Sequence, residues 1–514
     1  MSADLVFTNA NVITMDSGQP GAHLVATRGD RILMVGTSRD FDSVAGLETR
    51  IVDCQGKTIV PGFNDAHCHV FSMIEKQLSV DLSPASVSSI TDIKATISRR
   101  SQSLPTTKWV IGTDYNEFYL DEKRHPTRWD LDDIASANPV LLIHRSRHAC
   151  VLNSSALALA GIHRETEEPP DGLIDRDIST GEPNGILFGM VGHMTQHIQP
   201  SLSQEELDKG AAQANQYYLS RGITSFQDAS VSNDLKRWET LRRFKDTSRL
   251  RSRISMMVGI ESLNEFHEAG LHSGYGDEHL RLSGTKIMLS EVTGRLHPSP
   301  DELNAQVAIA SVAGFQVGIH AIEQDCVEAA VAALEHIQHL HPGTPHRHRI
   351  EHCSECPPDL LNRLVKLKPI IVTQPSFIYY NGDRYLATIP GNQLTWLYPL
   401  RSLLDAGLLV AGSSDSPVVD ASPLVGIHAA VNRQSDKGDP LKLEERVSPY
   451  DALAMYTKNS AYACFEEKAI GSITPGKLAD MVLLGSNPLS SPLEQLKDIR
   501  VEMTVIGGKI VWES

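Results

Sequence analysis

Pro61-Gly62-Phe63-Asn64-Asp65-Ala66-His67-Cys68-His69-Val70 closes an apolar run with two histidines one residue apart. The run begins upstream at Lys57-Thr58-Ile59-Val60, which is β-branched, apolar and bounded by turn residues, as strand sequence is. In a strand, side chains at i and i+2 share one face, so His67 and His69 would point the same way, about 7 Å apart along the chain. Two convergent neutral imidazoles suit zinc, which takes histidine nitrogen at roughly 2.0–2.1 Å. The spacing alone is a weak signal. A chain of 514 residues with 21 histidines carries about one His-x-His by chance, and here there are three. His339/His341 and His346/His348 lie in a polar, Pro- and Gly-containing connection and read as incidental, whereas His67/His69 ends an apolar strand.

Downstream of this strand, further candidates stand at 222–226, 254–258, 285–289, 316–320, 349–352, 370–373 and 408–412, which makes eight. Helical patterns lie between most of them, such as Asp325–Leu334 and a helix start at Pro298-Ser299-Pro300-Asp301-Glu302-Leu303, acidic and marked by proline. Eight strand-helix units imply an α/β fold, a (β/α)8 TIM barrel over 61–439, with its active site where the strands end. The gap from 71 to 205 is too long for one connection and holds its own strand-like piece, Pro139–Ile143. It reads as an insertion after barrel strand 1, rising over the active-site face. Both termini, 1–60 and 440–514, are rich in short strands and turns and predict one small β-sandwich domain assembled from the two ends. Arg28-Gly29-Asp30 and Gly507-Gly508 read as hairpin turns within it.

The bulk properties narrow the function. A net charge of −16 argues against general nucleic-acid binding and against attraction to an anionic membrane. No apolar run reaches the ~18 residues of a membrane span. The N-terminus has neither a basic region nor a long apolar segment, and seven cysteines fit reduced thiols, so a cytoplasmic location is expected. Cys353-x-x-Cys356 has no second pair at zinc-ribbon spacing and reads as a buried pair.

The barrel predicts that functional groups gather at strand ends. His67 and His69 end strand 1, Lys286 lies in strand 4, His320 ends strand 5, His352 ends strand 6, and Asp415 follows strand 8. Each alone has a structural reading as a satisfied histidine, a paired lysine or a turn cap, but six converge on one rim. With these residues the chain resembles the metal-dependent amidohydrolase superfamily, and within it the amidohydrolase-3 group of YtcJ-like and N-substituted formamide deformylase-like proteins. The marks are Pro61–His69, Gly318-Ile319-His320-Ala321, Arg349-Ile350-Glu351-His352, Gly412-Ser413-Ser414-Asp415 and the C-terminal Gly471-Ser472-Ile473-Thr474-Pro475-Gly476-Lys477-Leu478-Ala479-Asp480.

The resemblance implies that His67, His69 and Asp415 bind one divalent metal, with zinc expected, and that His320 and His352 bind a second. It implies that Lys286, carboxylated by CO2 to a carbamate, bridges them. An ammonium cannot ligate a cation, whereas a carbamate offers anionic oxygens. Many relatives follow this lysine with Asp-Gly; here the run is Lys286-Ile287-Met288-Leu289-Ser290-Glu291, which makes Glu291 a candidate substrate contact. In the insertion, 108–115 and 144–153 resemble segments of the same group, with Tyr115 as a candidate substrate contact and His148 matching a histidine that faces the active site. His193/His197 share i,i+4 spacing and read as a solvated helix face.

The resulting expectation is a zinc-dependent amidohydrolase that cleaves a C–N bond in a small molecule, an N-substituted formamide or an N-acyl amine. Asp415 would serve as general base and then acid, with His148 assisting. Lactonase or esterase, deaminase and decarboxylase chemistry remain open on the same barrel, as does a non-catalytic binding role. A homodimer is the expected assembly by resemblance.

Overall fold

The computed structural model describes residues 2–135, 137–341 and 347–514, and for Gln196 the backbone only. His346 of the third His-x-His therefore lies outside the described residues. The chain divides into two compact units: one comprises Met1–Val70, Ala211–Leu289 and Pro300–Ser514, the other Phe71–Gly210 and Ser290–Ser299.

The first unit contains an eight-stranded parallel sheet: β1 (Phe63–Cys68), β2 (Ile223–Asp228), β3 (Arg253–Gly259), β4 (Leu280–Met288), β5 (Gln316–Ala321), β6 (Arg349–His352), β7 (Ile370–Thr373) and β8 (Val410–Gly412). The strands neighbour one another in chain order from β1 to β8. Just beyond β8, the Asp415 amide donates to the His67 carbonyl at 2.9 Å and the His69 amide to the Ser416 carbonyl at 2.8 Å, closing the sheet into a barrel. Most strand residues are buried, as parallel strands covered on both faces must be.

The expected first strand proves to be two. Thr58–Pro61 pairs with Asn11–Ile13 and Met481–Leu484 in another sheet, and β1 starts only at Phe63. Gly62 makes the passage possible, because a Cβ there would stand 2.0 Å from Thr224 Oγ1. β2 runs two residues further than the sequence pattern suggested, to Asp228, and β4 starts five residues earlier, at Leu280.

The remaining strands of this unit form a four-stranded and a six-stranded sheet. Leu5, Phe7 and Val25 of the first share one core with Ile59, Met481, Leu483 and Val505 of the second, so N- and C-terminal segments build a single sandwich. Both expected hairpins are present, with Gly29 at φ 59° and Gly507 and Gly508 at 55° and 69°. Within 440–514, Pro449–Met455 and Lys458–Ala463 are helices bonded to the barrel: the Tyr456 carbonyl between them accepts from the Asn64 amide (2.9 Å), and Asn459 Nδ2 donates to the Val410 carbonyl (2.8 Å).

The second unit is built on its own six-stranded sheet, in the order Leu173–Arg176, Pro183–Phe188, Ala149–Leu152, Val140–His144, Val110–Tyr115, Val80–Asp81. Val140 and Leu142 pack into one core with Ile93 and Ile97 of the helix Ile90–Gln102, while Leu141 and Ile143 pack into another. Sequence reading found one strand of this sheet. Among the described residues no helix is long and apolar enough to cross a membrane, and all seven cysteines are buried and free.

Candidate metal centre

The C-terminal ends of the barrel strands bring His67, His69, His320, His352, Lys286 and Asp415 together. Ring centroids lie 5.2 Å apart for His67–His69, 5.0 Å for His67–His352 and 4.4 Å for His320–His352. Lys286 Nζ stands 3.3 Å from His67 Nε2. Asp415 Oδ1 lies 2.9 Å from His69 Nε2 and 3.5 Å from His67 Nε2. Asp415 is held at φ 59° in the left-handed region, which few non-glycine residues adopt.

What the outer nitrogens of these rings touch decides where their protons sit. His67 Nδ1 meets Glu351 Oε2 at 2.6 Å, and that carboxylate accepts from Arg349 Nε (2.6 Å) and Nη2 (2.9 Å). The Ser230 hydroxyl donates to Asp228 Oδ1 at 2.6 Å, leaving its oxygen to accept from His69 Nδ1 at 2.9 Å. Gln374 Oε1 accepts from His352 Nδ1 at 2.7 Å, and its amide nitrogen is bound to the Ser413 hydroxyl. All three rings thus carry their proton on Nδ1 and turn an Nε2 lone pair inward. The His69 lone pair faces an Asp415 oxygen at 2.9 Å, an acceptor against an acceptor, and that of His67 lies between the same oxygen at 3.5 Å and Lys286 Nζ at 3.3 Å. His352 Nε2 is buried with no hydrogen-bond partner.

Such a donor set fits a divalent cation. His67, His69 and Asp415 have ligand atoms within 4.8 Å of one another. A cation among them turns acceptor repulsion into ligation, and second bonds from imidazole to carboxylate, hydroxyl or amide are what fix metal-binding rings.

The electrostatics run the same way. Burial pushes His67 well below the ordinary imidazole range and His352 down to about 4, so both rings are neutral, the form that binds metal. Burial would raise Asp415, but a proton shared with His69 and positive charge on the facing imidazoles, or on a cation in their place when the rings are neutral, outweigh it and hold this carboxyl below its usual range. Burial lowers the Lys286 ammonium to about 8, leaving about a tenth of the amine neutral at pH 7 and open to carboxylation. Asp65, buried one turn of the pleat before His67, is pushed up to about 7, while its oxygens accept from the Ser414 amide and hydroxyl and the His67 amide. It ties β1 to the loop that carries Asp415.

Several residues of this centre carried no assigned role in the sequence reading: Glu351, Arg349, Asp228, Ser230, Gln374 and Asp65. Asp228 and Gln374 sit at or just past strand ends, the same positional signal that marks the histidines. Gly318 on the neighbouring strand leaves Glu351 its space, because a Cβ there would stand 2.5 Å from Met257 Cε and 2.8 Å from Glu351 Oε1.

Tyr115, His148 and Glu291 belong to the second unit. Tyr115 is buried, with its hydroxyl 3.0 Å from His125 Nδ1. His148 is half-buried in the turn between Val140–His144 and Ala149–Leu152, its amide donating to Ser146 Oγ at 3.2 Å. Glu291 is half-buried in the short segment Ser290–Ser299. His144 ends a strand and so is not helically paired with His148, while His193 and His197 are exposed, their rings 5.1 Å apart.

A parallel barrel with this donor set at its strand ends defines the class of metal-dependent hydrolases. The sequence profile of the amidohydrolase family matches residues 50–512, and the chain belongs to that family. It is 29% identical to an N-substituted formamide deformylase of Arthrobacter pascens, over 99% of this chain and 98% of that protein. It is equally 29% identical to the protein LONG AFTER FAR-RED 3 of Arabidopsis thaliana, over 99% of this chain and 91% of that one. Among solved structures, a metal-dependent hydrolase from Pyrococcus furiosus superposes with a TM-score of 0.72 at 26% identity, covering 95% of this chain and 100% of its own.

Proposed function

We propose that the protein hydrolyses the C–N bond of an N-substituted formamide or a related N-acyl amine, with water releasing the free amine and the acid. The observation that carries the metal requirement is the convergence of His67, His69 and Asp415 ligand atoms within 4.8 Å of one another, with the His69 Nε2 lone pair set against the Asp415 carboxylate. The choice of an amide-type substrate rests on likeness to the formamide deformylase.

His67, His69 and Asp415 would hold one divalent ion, zinc by donor type, and His320 and His352 a second, with a carbamate on Lys286 between them. When bound, such ions polarise a substrate carbonyl and acidify a water molecule. The chain's own groups do the rest. Glu351 and Ser230 hold the imidazoles of His67 and His69 in register through their Nδ1 protons. Asp415, kept ionised, takes a proton from the attacking water on Oδ2 and returns it to the departing nitrogen, as base and then acid. The Asp65 bonds to Ser414 keep the carboxylate aimed.

The test is metal content by plasma mass spectrometry on protein prepared with zinc and bicarbonate, beside His67→Asn and Lys286→Ala, with formate and amine release measured from N-benzylformamide. Two ions per chain in the wild type, loss in both variants and parallel loss of amine release support the reading. One ion, lost in His67→Asn and kept in Lys286→Ala, removes the bridging lysine. Wild type that loads metal yet releases neither formate nor amine from formamides and N-acyl amines overturns the substrate class.

A further inference from the structure

At the opposite end of the barrel from the histidines, the first unit contains a cavity of about 940 Å³. It opens between the helix Leu235–Asp246, the turn 248–251, the loop 272–280 and the C-terminal hairpin, through Ile506, Lys509 and Val511. Arg253 and Leu280, the first residues of β3 and β4, lie at this end, while Lys286 stands near the far end of β4. The nine residues of β4 span about 25 Å. A molecule in this cavity does not reach the metal ligands.

Two features of the lining point to one kind of occupant. Trp238, Leu250, Leu280, Ile506 and Val511 make its apolar walls. Tyr275 is 41% exposed, its ring tilted against that of Trp238 at 6.2 Å and edge-on to that of His272 at 5.8 Å, so the lining carries an exposed aromatic group on which a planar ring can stack. The charged lining is Arg242, Lys245, Arg251 and Lys509 against Asp246 and Asp277. Arg242 pairs with Glu239, and the Lys245 ammonium donates to the carbonyls of Arg251 (3.2 Å) and Ser252 (2.7 Å). Asp277 Oδ1 accepts from the amides of His279 and Leu280. Arg251 and Lys509 make no ion pair among the described residues. Arg251 and Lys509 are thus the cations of the lining left to meet an anion, with Asp246 and Asp277 as the acidic groups of the same lining.

We propose that this cavity is a second ligand site, for a planar aromatic molecule carrying a phosphate or carboxylate. Its volume lies in the range of small-molecule sites, roughly 300–1,000 Å³. The ring would stack on Tyr275 against the apolar wall, and the anion would be held between Arg251 and Lys509, from the barrel and the terminal hairpin respectively.

Isothermal titration calorimetry of the full-length protein with phenyl phosphate tests this, beside inorganic phosphate, phenol, and the variants Arg251→Glu, Lys509→Glu, Tyr275→Ala and His67→Asn. The expected result is one phenyl phosphate per chain, bound at least tenfold more weakly in each of the three cavity variants and unchanged in His67→Asn. Inorganic phosphate and phenol should each bind at least tenfold more weakly than the joined molecule. Binding lost in His67→Asn and kept in the cavity variants assigns the ligand to the metal centre and overturns the proposal. So does inorganic phosphate binding as tightly as phenyl phosphate, or no heat at millimolar ligand. A dimer in sedimentation that Arg251→Glu dissociates also overturns it, in favour of a subunit contact.

Discussion

At the scale of single residues, the centre depends as much on what lies behind the ligands as on the ligands. His67 offers its Nε2 inward because Glu351 takes the proton of its Nδ1, and Glu351 is fixed because Arg349 grips both its oxygens. All three side chains are fully buried, so no water substitutes for a lost partner. Glu351→Gln keeps the shape and one carbonyl oxygen but removes the charge that favours the Nδ1–H tautomer. Metal affinity should fall about tenfold to a hundredfold, read by competition with a chromophoric chelator, while the far-ultraviolet dichroism stays as in the wild type. Unchanged affinity would mean that the His67 tautomer is set by something other than Glu351. That the strand-end histidines, Lys286 and Asp415 gather in one place was legible in the sequence, since each stands in a short local motif at a strand end. Their partners were not, because His67 and Glu351 are 284 residues apart and His69 and Ser230 are 161 apart. Only the closed barrel brings such pairs together.

At the scale of elements, the barrel strands could be read because parallel strands buried on both faces are continuous apolar runs bounded by turns. Where the reading erred, competing packing is the cause. Thr58–Pro61 and Phe63–Cys68 look like one strand, but the first pairs with the terminal strands and the second with β2, and Gly62 between them passes Thr224 where no Cβ fits. In the second unit, short strands such as Val80–Asp81 and Leu173–Arg176 carry too little pattern to be seen alone. That sheet also has a testable electrostatic clasp. Glu117, just after Val110–Tyr115, meets His144 Nε2 at 2.8 Å at the end of the neighbouring strand. Burial would raise its carboxyl, yet the His144 contact and the charge of nearby imidazoles bring it down to about 2, against 4.5 for a free glutamate. A carboxyl depressed by folding contributes stability that is complete above pH 4.5 and is lost as pH falls toward 2. Thermal melts of wild type and Glu117→Gln should therefore differ more at about pH 5 than at about pH 2, converging as pH falls through this window. A constant gap across the range would exclude the clasp.

At the scale of the whole molecule, the terminal segments are distant in sequence yet form one sandwich, and one residue of the C-terminal motif ties that sandwich to the barrel. Asp480 takes Arg253 Nε at 2.6 Å on Oδ2 and Nη2 at 3.0 Å on Oδ1, a two-pronged pair of side chains only 2–3% exposed. Its Oδ1 also accepts from the Gly507 amide in the terminal hairpin, and its backbone carbonyl accepts from the Gly62 amide, just before β1. Arg253 is the first residue of β3, so this aspartate joins the starts of β1 and β3 to the last hairpin. The motif Gly471–Asp480 was recognisable by resemblance, but nothing local in it gives a reason for its terminal aspartate. A buried arginine stripped of its partner is expected to cost about 3–5 kcal/mol, most of it the penalty of an uncompensated charge. Asp480→Ala should lower the urea midpoint accordingly, and Arg253→Met should do less harm, since Asp480 keeps the Gly507 amide. The double variant Arg253→Met/Asp480→Ala should be more stable than the sum of the single losses, because no buried cation is left behind. Strict additivity in that cycle would mean the two groups act independently and that the Arg253–Asp480 pair does not hold the sandwich to the barrel.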